Sequence, residues 1–404
     1  SGRAAKIDSA GKKVIAEQLA KLPENRWVRL QPARVAPTRT WGSATFDSER
    51  GRILYWGGGH CGYGGTDVDM YDVAANNWVS SSEAPEYPHR LWNVGVSLAG
   101  VTFGGNPWTV HGRRVYAFDP ISKKMISVRP VQLTTGYVPD MLRTYPGEPR
   151  ARADAKVKPP TSYTKFVTWE FDPDKGTWEI AAPAPLDVDT LVTTPHGVMG
   201  VPVNWRSRLK DSGYLLPFDP EEQKDNGVYL YNAEKKAWQR LGEKQPAPQY
   251  LYEMTTLAYD SKRDRLLLHG AGANRAELWA FERKAGKWIH LEPKVAAPPD
   301  GAAPTCVREA VYLPDQDVLL TYGRGTGGQP EMWAYQGADN TWSRIELALP
   351  PDTSARQASG QNRALVYDPD RRLVLLVLGG GGDRGQASVF ALRYDHAKAP
   401  RSRN

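Results

Sequence analysis

The sequence is poor in cysteine and phenylalanine, and it has no long apolar run. Its 404 residues include 2 Cys and 8 Phe. Cys61 and Cys306 lie far apart, so they do not define a disulfide framework, and pairing, free thiols and metal binding all stay open. Because no apolar segment reaches membrane-spanning length, the sequence predicts a protein without a membrane span.

Positive charge is present in excess but is not concentrated. The net charge is +7, and no run of Lys and Arg resembles the basic patch of a nucleic-acid-binding protein. We therefore expect no nucleic-acid partner, whereas a modest positive charge is compatible with an acidic polysaccharide. The opening residues Ser1, Gly2 and Arg3 carry no export signal and no information on location.

What the sequence does contain is 14 Trp, 19 Tyr and many Gly and Pro, a composition typical of short strands joined by tight turns. An aromatic residue is followed seven positions later by Trp at five places. The pairs are Tyr71/Trp78, Phe171/Trp178, Tyr231/Trp238, Phe281/Trp288 and Tyr335/Trp342. Because polar turn residues separate the two members, we interpret each pair as the third and fourth strands of one blade in a repeated fold.

A second series marks the inner strands of the same blades. In this series an aromatic residue is followed at the same spacing by an aliphatic one. The pairs are Phe46/Ile53, Phe118/Met125, Tyr259/Leu266, Tyr312/Leu319 and Tyr367/Val374. Several of these segments continue as apolar runs that end in glycine, such as 53–59 and 373–380, which is typical of strands buried on both faces.

Together the two series predict an all-β fold, a six-bladed β-propeller over residues 25–395. The predicted blades cover residues 39–80, 109–183, 195–243, 250–293, 304–346 and 360–395. The last blade lacks an outer Trp, so we expect segment 25–30 to supply its outer strand and close the ring, which removes exposed sheet edges. The count becomes seven if 92–130 forms its own blade. Residues 1–24 form an extension with a short helix between Ser9 and Leu22, and residues 396–404 form a tail.

The glycine run of the first blade carries a family resemblance. Gly57, Gly58 and Gly59, with the downstream Tyr71/Trp78 pair, resemble kelch repeats and the propeller of galactose-oxidase-like proteins. Segments 56–60, 65–68, 106–111 and 194–197 look like parts of secreted bacterial kelch proteins of the planctomycete type. The resemblance covers about residues 25–395 and implies a kelch-like propeller in an extracytoplasmic location, periplasmic or secreted. Copper radical oxidases of this fold use two adjacent histidines, and the absence of a His-His pair argues against that chemistry.

Candidate site residues gather at one predicted face. The start of each first strand, the loop between the second and third strands, and the link to the next blade all lie at the same end of a propeller. We therefore place there His60, His89, His111, His196, Tyr63, Cys61, Cys306 and Glu253, with several arginines. In this scheme His196 begins the first strand of the third blade. A structural reading stays open for the strand-start histidines, which can simply be hydrogen-bonded, and for the cysteines, which can be small buried residues.

The first functional hypothesis is a polysaccharide lyase, by analogy with the propeller lyases that cleave ulvan and oligogalacturonate. The candidate catalytic residues, which would act as base and acid, are His60, Tyr63, His111 and His196. The candidate substrate-binding residues are Arg39, Arg308, Arg363, Trp92, Trp108 and Tyr252. The arginines would pair a uronate carboxylate bidentately, so the expected partner is an acidic polysaccharide or another glycan.

Two further hypotheses use the same face. One is a metal site with His111, His196, Glu253 and Cys306 as ligands, a mixture of nitrogen, oxygen and sulfur that favours Zn or Cu as the cofactor. The other is a non-catalytic module that binds glycan or protein through its loops. We expect a monomer in each case.

Overall fold

The structure of the protein is a computed structural model. It describes residues 9–39, 42–58, 67–80, 107, 115–131, 165–184, 188–202, 227–242, 256–271, 276–295, 308–325, 329–348, 350, 353, 362–380 and 385–402. The chain begins with helix α1 (Ser9–Ala20) and two short strands, β1 (Val28–Arg29) and β2 (Ala36–Pro37). Within the described ranges, no helix is long and apolar enough to cross a membrane.

The next twelve strands form three antiparallel sheets, and each sheet is one blade. Blade 1 contains β3 (Ser43–Asp47), β4 (Arg52–Trp56), β5 (Asp69–Asp72) and β6 (Asn77–Ser80). Blade 2 contains β7 (Tyr116–Asp119), β8 (Lys124–Val131), β9 (Lys165–Asp172) and β10 (Thr177–Pro183). Blade 3 contains β11 (Val188–Thr194), β12 (Gly197–Pro202), β13 (Val228–Asn232) and β14 (Ala237–Leu241). The strands of each blade pair in chain order.

The remaining strands form three more blades. Blade 4 contains β15 (Thr256–Asp260), β16 (Arg265–Ala271), β17 (Glu277–Glu282) and β18 (Lys287–Leu291). Blade 5 contains β19 (Glu309–Leu313), β20 (Val318–Arg324), β21 (Pro330–Gln336) and β22 (Thr341–Ile345). Blade 6 contains β23 (Arg363–Asp368), β24 (Leu373–Gly379), β25 (Gln386–Leu392) and β1, and β2 also pairs with β25. A last strand, β26 (Arg401–Ser402), pairs with β22.

The first strands of the blades surround the axis of the propeller. Each contacts the next in a closed ring that runs β3, β7, β11, β15, β19, β23 and back to β3. The prediction of a six-bladed propeller is therefore confirmed. The seven-bladed alternative is wrong, because 116–131, which would have belonged to a separate blade, forms the first two strands of blade 2.

The N-terminal strand closes the ring as the sequence predicts. In β1, Val28 pairs with Ala391, so the last blade combines the two ends of the chain. Next to this strand, the buried Trp27 packs edge to face on Tyr322 of blade 5, with 6.1 Å between the ring centroids. The predicted C-terminal tail also contributes to the fold, since Arg401 and Ser402 add a fifth strand to blade 5.

The hydrophobic core is divided into clusters that lie between neighbouring blades. Side chains alternate between the two faces of a strand, so each strand serves two clusters. In β16, Leu266 and Leu268 pack toward blade 3, whereas Leu267 between them packs toward blade 5. Burial on both faces is the physical reason for the continuous apolar runs of the inner strands.

The repeated aromatic/Trp pairs are cross-strand partners. All five pairs lie directly opposite each other on the third and fourth strands. Their ring centroids are 5.1 to 5.4 Å apart. Only Trp78 and Trp342 are completely buried, while the other three Trp rings of the series stay partly exposed at the outer edges of their blades.

In several hairpin turns, a tyrosine hydroxyl donates a hydrogen bond to the Asp or Asn side chain five residues later. In the first turn of blade 4, Asp264 has a left-handed backbone with φ of 51°, and its carboxylate accepts a 2.7 Å hydrogen bond from the Tyr259 hydroxyl. The same five-residue spacing joins Tyr71 to Asn76, Tyr312 to Asp317 and Tyr335 to Asn340. Asp and Asn tolerate this backbone conformation better than most residues, which explains their place at the end of these turns.

Helix α1 packs on the outside of the ring. Leu19 is buried, and Ile15 and Leu22 pack partly against the core between blades 6 and 1. Val14 of the same helix is 55% exposed and does not share this packed face.

Candidate functional site

The two ends of the propeller differ in their connections. At one end, which we call the turn face, short hairpin turns follow the first and third strands, such as the turn between Asp47 and Arg52. At the other end, which we call the long-connection face, the first strands begin and every long connection starts and returns. These connections include 57–68, 81–115, 132–164 and 203–226. Loops held by a rigid scaffold are where binding and catalytic groups concentrate.

Most predicted site residues fall in these connections. His60, Tyr63, Trp92, Trp108, His111, Tyr252, Glu253 and Cys306 lie outside the described residues. Their positions in the chain assign them to connections that begin and end at the long-connection face. Their roles as catalytic, substrate-binding or metal-binding residues stay predictions.

Arg39 lies at the long-connection face and is completely buried. Its Nη2 contacts Asp69 at 2.8 Å and Asp67 at 3.3 Å, and its Nη1 donates to the carbonyl of Gly57 at 3.2 Å. Burial raises the pKa of Asp69 to about 6, against the lowering effect of the Arg39 guanidinium. Arg39 therefore ties the start of blade 1 to β5, and a role in substrate binding is only a prediction.

The other two predicted arginines share this end of the ring. Arg308 directly precedes β19, and Arg363 is the first residue of β23; each side chain is 1% exposed. Arg308 Nη2 lies 3.2 Å from Glu331 of the same blade. Gly323 makes room for Arg308, since a Cβ at this glycine would lie 2.6 Å from the arginine Cγ. Blades 5, 6 and 1 thus each place a buried arginine beneath the long-connection face.

His196 is not where the sequence predicts it. The first strand of blade 3 is Val188–Thr194, so His196 follows this strand instead of beginning it. It occupies the tight turn between Thr194 and Gly197, which have paired backbones. The turn face is opposite to the long-connection face, and His196 is therefore separated from the other predicted catalytic and metal-binding residues.

On the turn face, His196 bridges blades 3 and 4. Its Nε2 lies 3.1 Å from Asp264 Oδ1 and 3.5 Å from the Tyr259 hydroxyl. Arg283 holds the same carboxylate through contacts of 2.6 to 3.0 Å. These contacts lower the pKa of Asp264, mainly through the Arg283 hydrogen bonds. Because the carboxylate is already held by an arginine and a tyrosine, the cluster is that of a structural bridge.

Comparable bridges join other blades on the turn face. Arg263 of blade 4 binds Asp317 of blade 5 bidentately, with both contacts at 2.7 Å. Tyr367 of blade 6 contacts Asp315 of blade 5 at 3.1 Å. Side chains of the hairpin turns thus connect consecutive blades, and His196 performs this task for blades 3 and 4.

No metal centre is visible in the described ranges. Among these residues, no group of three or more His, Cys, Asp or Glu side chains is arranged to hold a metal ion. Of the four predicted ligands, His196 is at the turn face, and the other three lie outside the described residues. A Zn or Cu site stays a prediction for the remaining three.

An axial channel is the feature that sequence reasoning missed. It has a volume of about 440 Å³ and is lined by residues of all six first strands and their turns. It extends from Ser43 and Glu309, at the starts of their strands, to Pro314 and Pro369 in the turns. The sequence signal that could have indicated it is the charge of Glu309, which stands three positions before the inner aromatic Tyr312.

Comparisons with known proteins give no family for this chain. No protein-family model matches it, and no curated protein is similar enough to count as a relative. The propeller fold is therefore established by the structure itself, and the likeness to kelch proteins remains a resemblance of short segments.

Proposed function

We propose that the protein binds an acidic polysaccharide on its long-connection face and cleaves it as a lyase. The observation that carries the proposal is the asymmetry of the two ends. One end has only tight turns among the described residues, whereas the other has the long connections that contain His60, Tyr63 and His111. An extracytoplasmic location belongs to the same proposal, because such polysaccharides are found outside the cell.

The net charge of the protein, +7, supports an anionic ligand. Three arginines from adjacent blades lie beneath the long-connection face. The carboxylates of Asp69, Asp67 and Glu331 equal these arginines in number, so the support comes from the overall charge.

The proposed chemistry is β-elimination at a uronic acid. A base, His111 or His60, takes the proton from C5 of the uronate. The negative charge that develops at C5 and on the carboxylate is stabilised by one of the candidate arginines. The electron pair forms the C4–C5 double bond as the bond between C4 and the glycosidic oxygen breaks. Tyr63 returns a proton to the leaving oxygen, so the products are an unsaturated uronate and a new chain end.

The test is a panel of uronic-acid polysaccharides, with product formation followed by the ultraviolet absorbance of the unsaturated uronate. Wild-type protein should produce this signal with at least one member of the panel. His111→Ala should reduce the rate at least about 100-fold if this residue is the base. The matched control is His196→Ala, which changes a histidine on the opposite face and should leave the rate unchanged.

Other outcomes discriminate between the hypotheses. Tight polysaccharide binding without unsaturated products would replace the lyase by a non-catalytic binding module. Loss of activity in His196→Ala but not in His111→Ala would contradict the choice of face. Thermal melting of each variant separates these results from loss of folding.

A further inference from the structure

The axial channel contains one charged side chain among the described residues that line it, and this residue is Glu309. The channel follows the first strands, whose lengths of about five residues correspond to about 16 Å. Apart from Glu309, its wall consists of small, apolar, hydroxyl and aromatic residues. A cavity of about 440 Å³ is in the size range of small-molecule sites.

Glu309 is an exception to the repeat. Each blade has an equivalent position, three residues before the inner aromatic or its counterpart in blade 3. The residues at this position in blades 1, 2, 3, 4 and 6 are Ser43, Val115, Thr190, Thr256 and Ala364. All five are uncharged, so the register of the propeller does not require a carboxylate at this position.

Glu309 lines the channel and has no partner among the described side chains. The residue is 5% exposed, and its side chain makes no hydrogen bond or ion pair with the described residues. Its neighbours Arg308 and Tyr322 do not bond to it; Arg308 instead contacts Glu331. A carboxylate that lines a channel and lacks a protein partner can pair with a ligand that enters the channel.

The rest of the channel favours a ligand that is cationic at one end and apolar elsewhere. Val311 and Leu365 are among the aliphatic residues that line the channel. Farther toward the turn face, the lining includes Phe46, Tyr312 and Tyr367, which add apolar surface for the hydrocarbon part of a ligand. A carboxylate and aromatic rings are both poor surroundings for an anion.

We propose that the axial channel binds a small organic cation with a primary ammonium group, and that Glu309 pairs with this ammonium. The hydrocarbon part of the ligand lies along the apolar wall toward the turn face. This site adjoins the proposed polysaccharide site but is formed by the first strands, whereas the polysaccharide is proposed to bind the long connections. Its test measures binding of a small cation and not polysaccharide cleavage, so the two proposals can fail separately.

The test is isothermal titration calorimetry of the full chain with butylammonium chloride as the probe. Three probes of matched size or charge are titrated alongside it, namely butanol, sodium butanoate and potassium chloride. Butylammonium should bind, and the three others should bind at least tenfold more weakly. Equal binding of butanol would mean that only the apolar wall acts, and stronger binding of butanoate would assign the site to anions; either result overturns the proposal.

Two variants locate the contact at Glu309. Glu309→Gln keeps the size of the side chain and removes its charge, and it should weaken butylammonium binding at least tenfold. Glu309→Asp keeps the charge and should retain part of the affinity, which guards against a glutamine variant that fails to fold. The matched control is Glu234→Gln on an exposed turn, which should bind like wild type. Unchanged affinity in a folded Glu309→Gln protein would refute the assignment.

Discussion

His396 is a buried histidine whose surroundings lower its pKa. It is buried, and its Nδ1 lies 2.8 Å from the Tyr394 hydroxyl. Arg401 Nη1 lies 2.9 Å from its Nε2, so this nitrogen accepts a hydrogen bond and the ring is neutral. Burial, together with the charge of Arg401, lowers the pKa of His396 to about 4.

The lowered pKa predicts a loss of stability in acid. The usual pKa of histidine is about 6.5, so between pH 6.5 and 4 the unfolded chain binds a proton that the folded chain excludes. As far as His396 is concerned, the free energy of unfolding is therefore highest above pH 6.5. It decreases by up to about 3 kcal/mol as the pH falls toward 4. Urea unfolding of wild type and His396→Gln at pH 7 and pH 4.5 measures it. The variant should lose less stability in acid than wild type, and equal losses would contradict the prediction.

Strands at the edges of the blades differ in how they are covered. The outer strand of blade 5 is covered by β26, and blade 6 takes its outer strand from the N-terminal segment. The outer strands of blades 2 and 4 have exposed isoleucines, Ile180 and Ile289. The two chain ends thus add strands to blades 5 and 6, and the buried Trp27 lies in the core between these blades.

Substitution of Trp27, which directly precedes β1, should lower the stability of the protein strongly. It is 3% exposed and belongs to the core between blades 5 and 6. Trp27→Ala should lower the free energy of unfolding by about 3–5 kcal/mol, because it leaves a cavity at the blade junction. Val35→Ala, at a position that is 45% exposed in the same segment, should change it by less than about 0.5 kcal/mol. Denaturant unfolding compares the two, and similar small effects would mean that the junction does not depend on this ring.

The whole molecule is held closed where its two ends meet. Asn25 donates its backbone N–H to the carbonyl of Arg393 at 2.8 Å. Its side-chain amide makes two hydrogen bonds of 2.9 Å with the backbone of Asp395. Glu24 accepts a 2.7 Å contact from Lys398. Segments that are about 370 residues apart in sequence are therefore one structural unit.

Removal of residues 1–30 should open the ring. The deletion exposes the edge of β25 and the apolar surface of Phe390 and Tyr322, which the N-terminal strand and Trp27 cover. A lower urea midpoint and increased binding of a hydrophobic dye are the expected results. Deletion of residues 1–8 alone, which precede α1, is the matched control and should leave both quantities unchanged. A wild-type midpoint for the longer deletion would show that closure contributes little.

Short-range patterns in the sequence were sufficient to predict the propeller fold. The aromatic/Trp spacing places two side chains opposite each other across a hairpin, and this geometry depends only on the length of the turn between them. The missing outer strand of the last blade and the unpaired segment 25–30 implied closure by the same reasoning. Those features repeat, so each blade supports the interpretation of the others.

The candidate site was less accessible to this reasoning. In blade 3 the turn contains only Pro195 and His196, whereas most first hairpins contain four residues. Because this turn is two residues shorter, the predicted first strand of blade 3 began too late in the sequence. The prediction therefore assigned His196 to the long-connection face instead of the turn face. The arginines were placed at the correct end, but the carboxylates that bind Arg39 and Arg308 come from other strands.

The sequence by itself thus determined the propeller fold and the strand that closes it, because short-range spacing sets hairpin geometry, whereas the choice of six blades over seven came from the structure. Only the tertiary structure decided which side chains meet across blades. His196 became a bridge to Asp264, and Glu309 came to line an axial channel, because six first strands converge on one axis. Neighbours of this kind come from distant parts of the chain, and no local pattern specifies them.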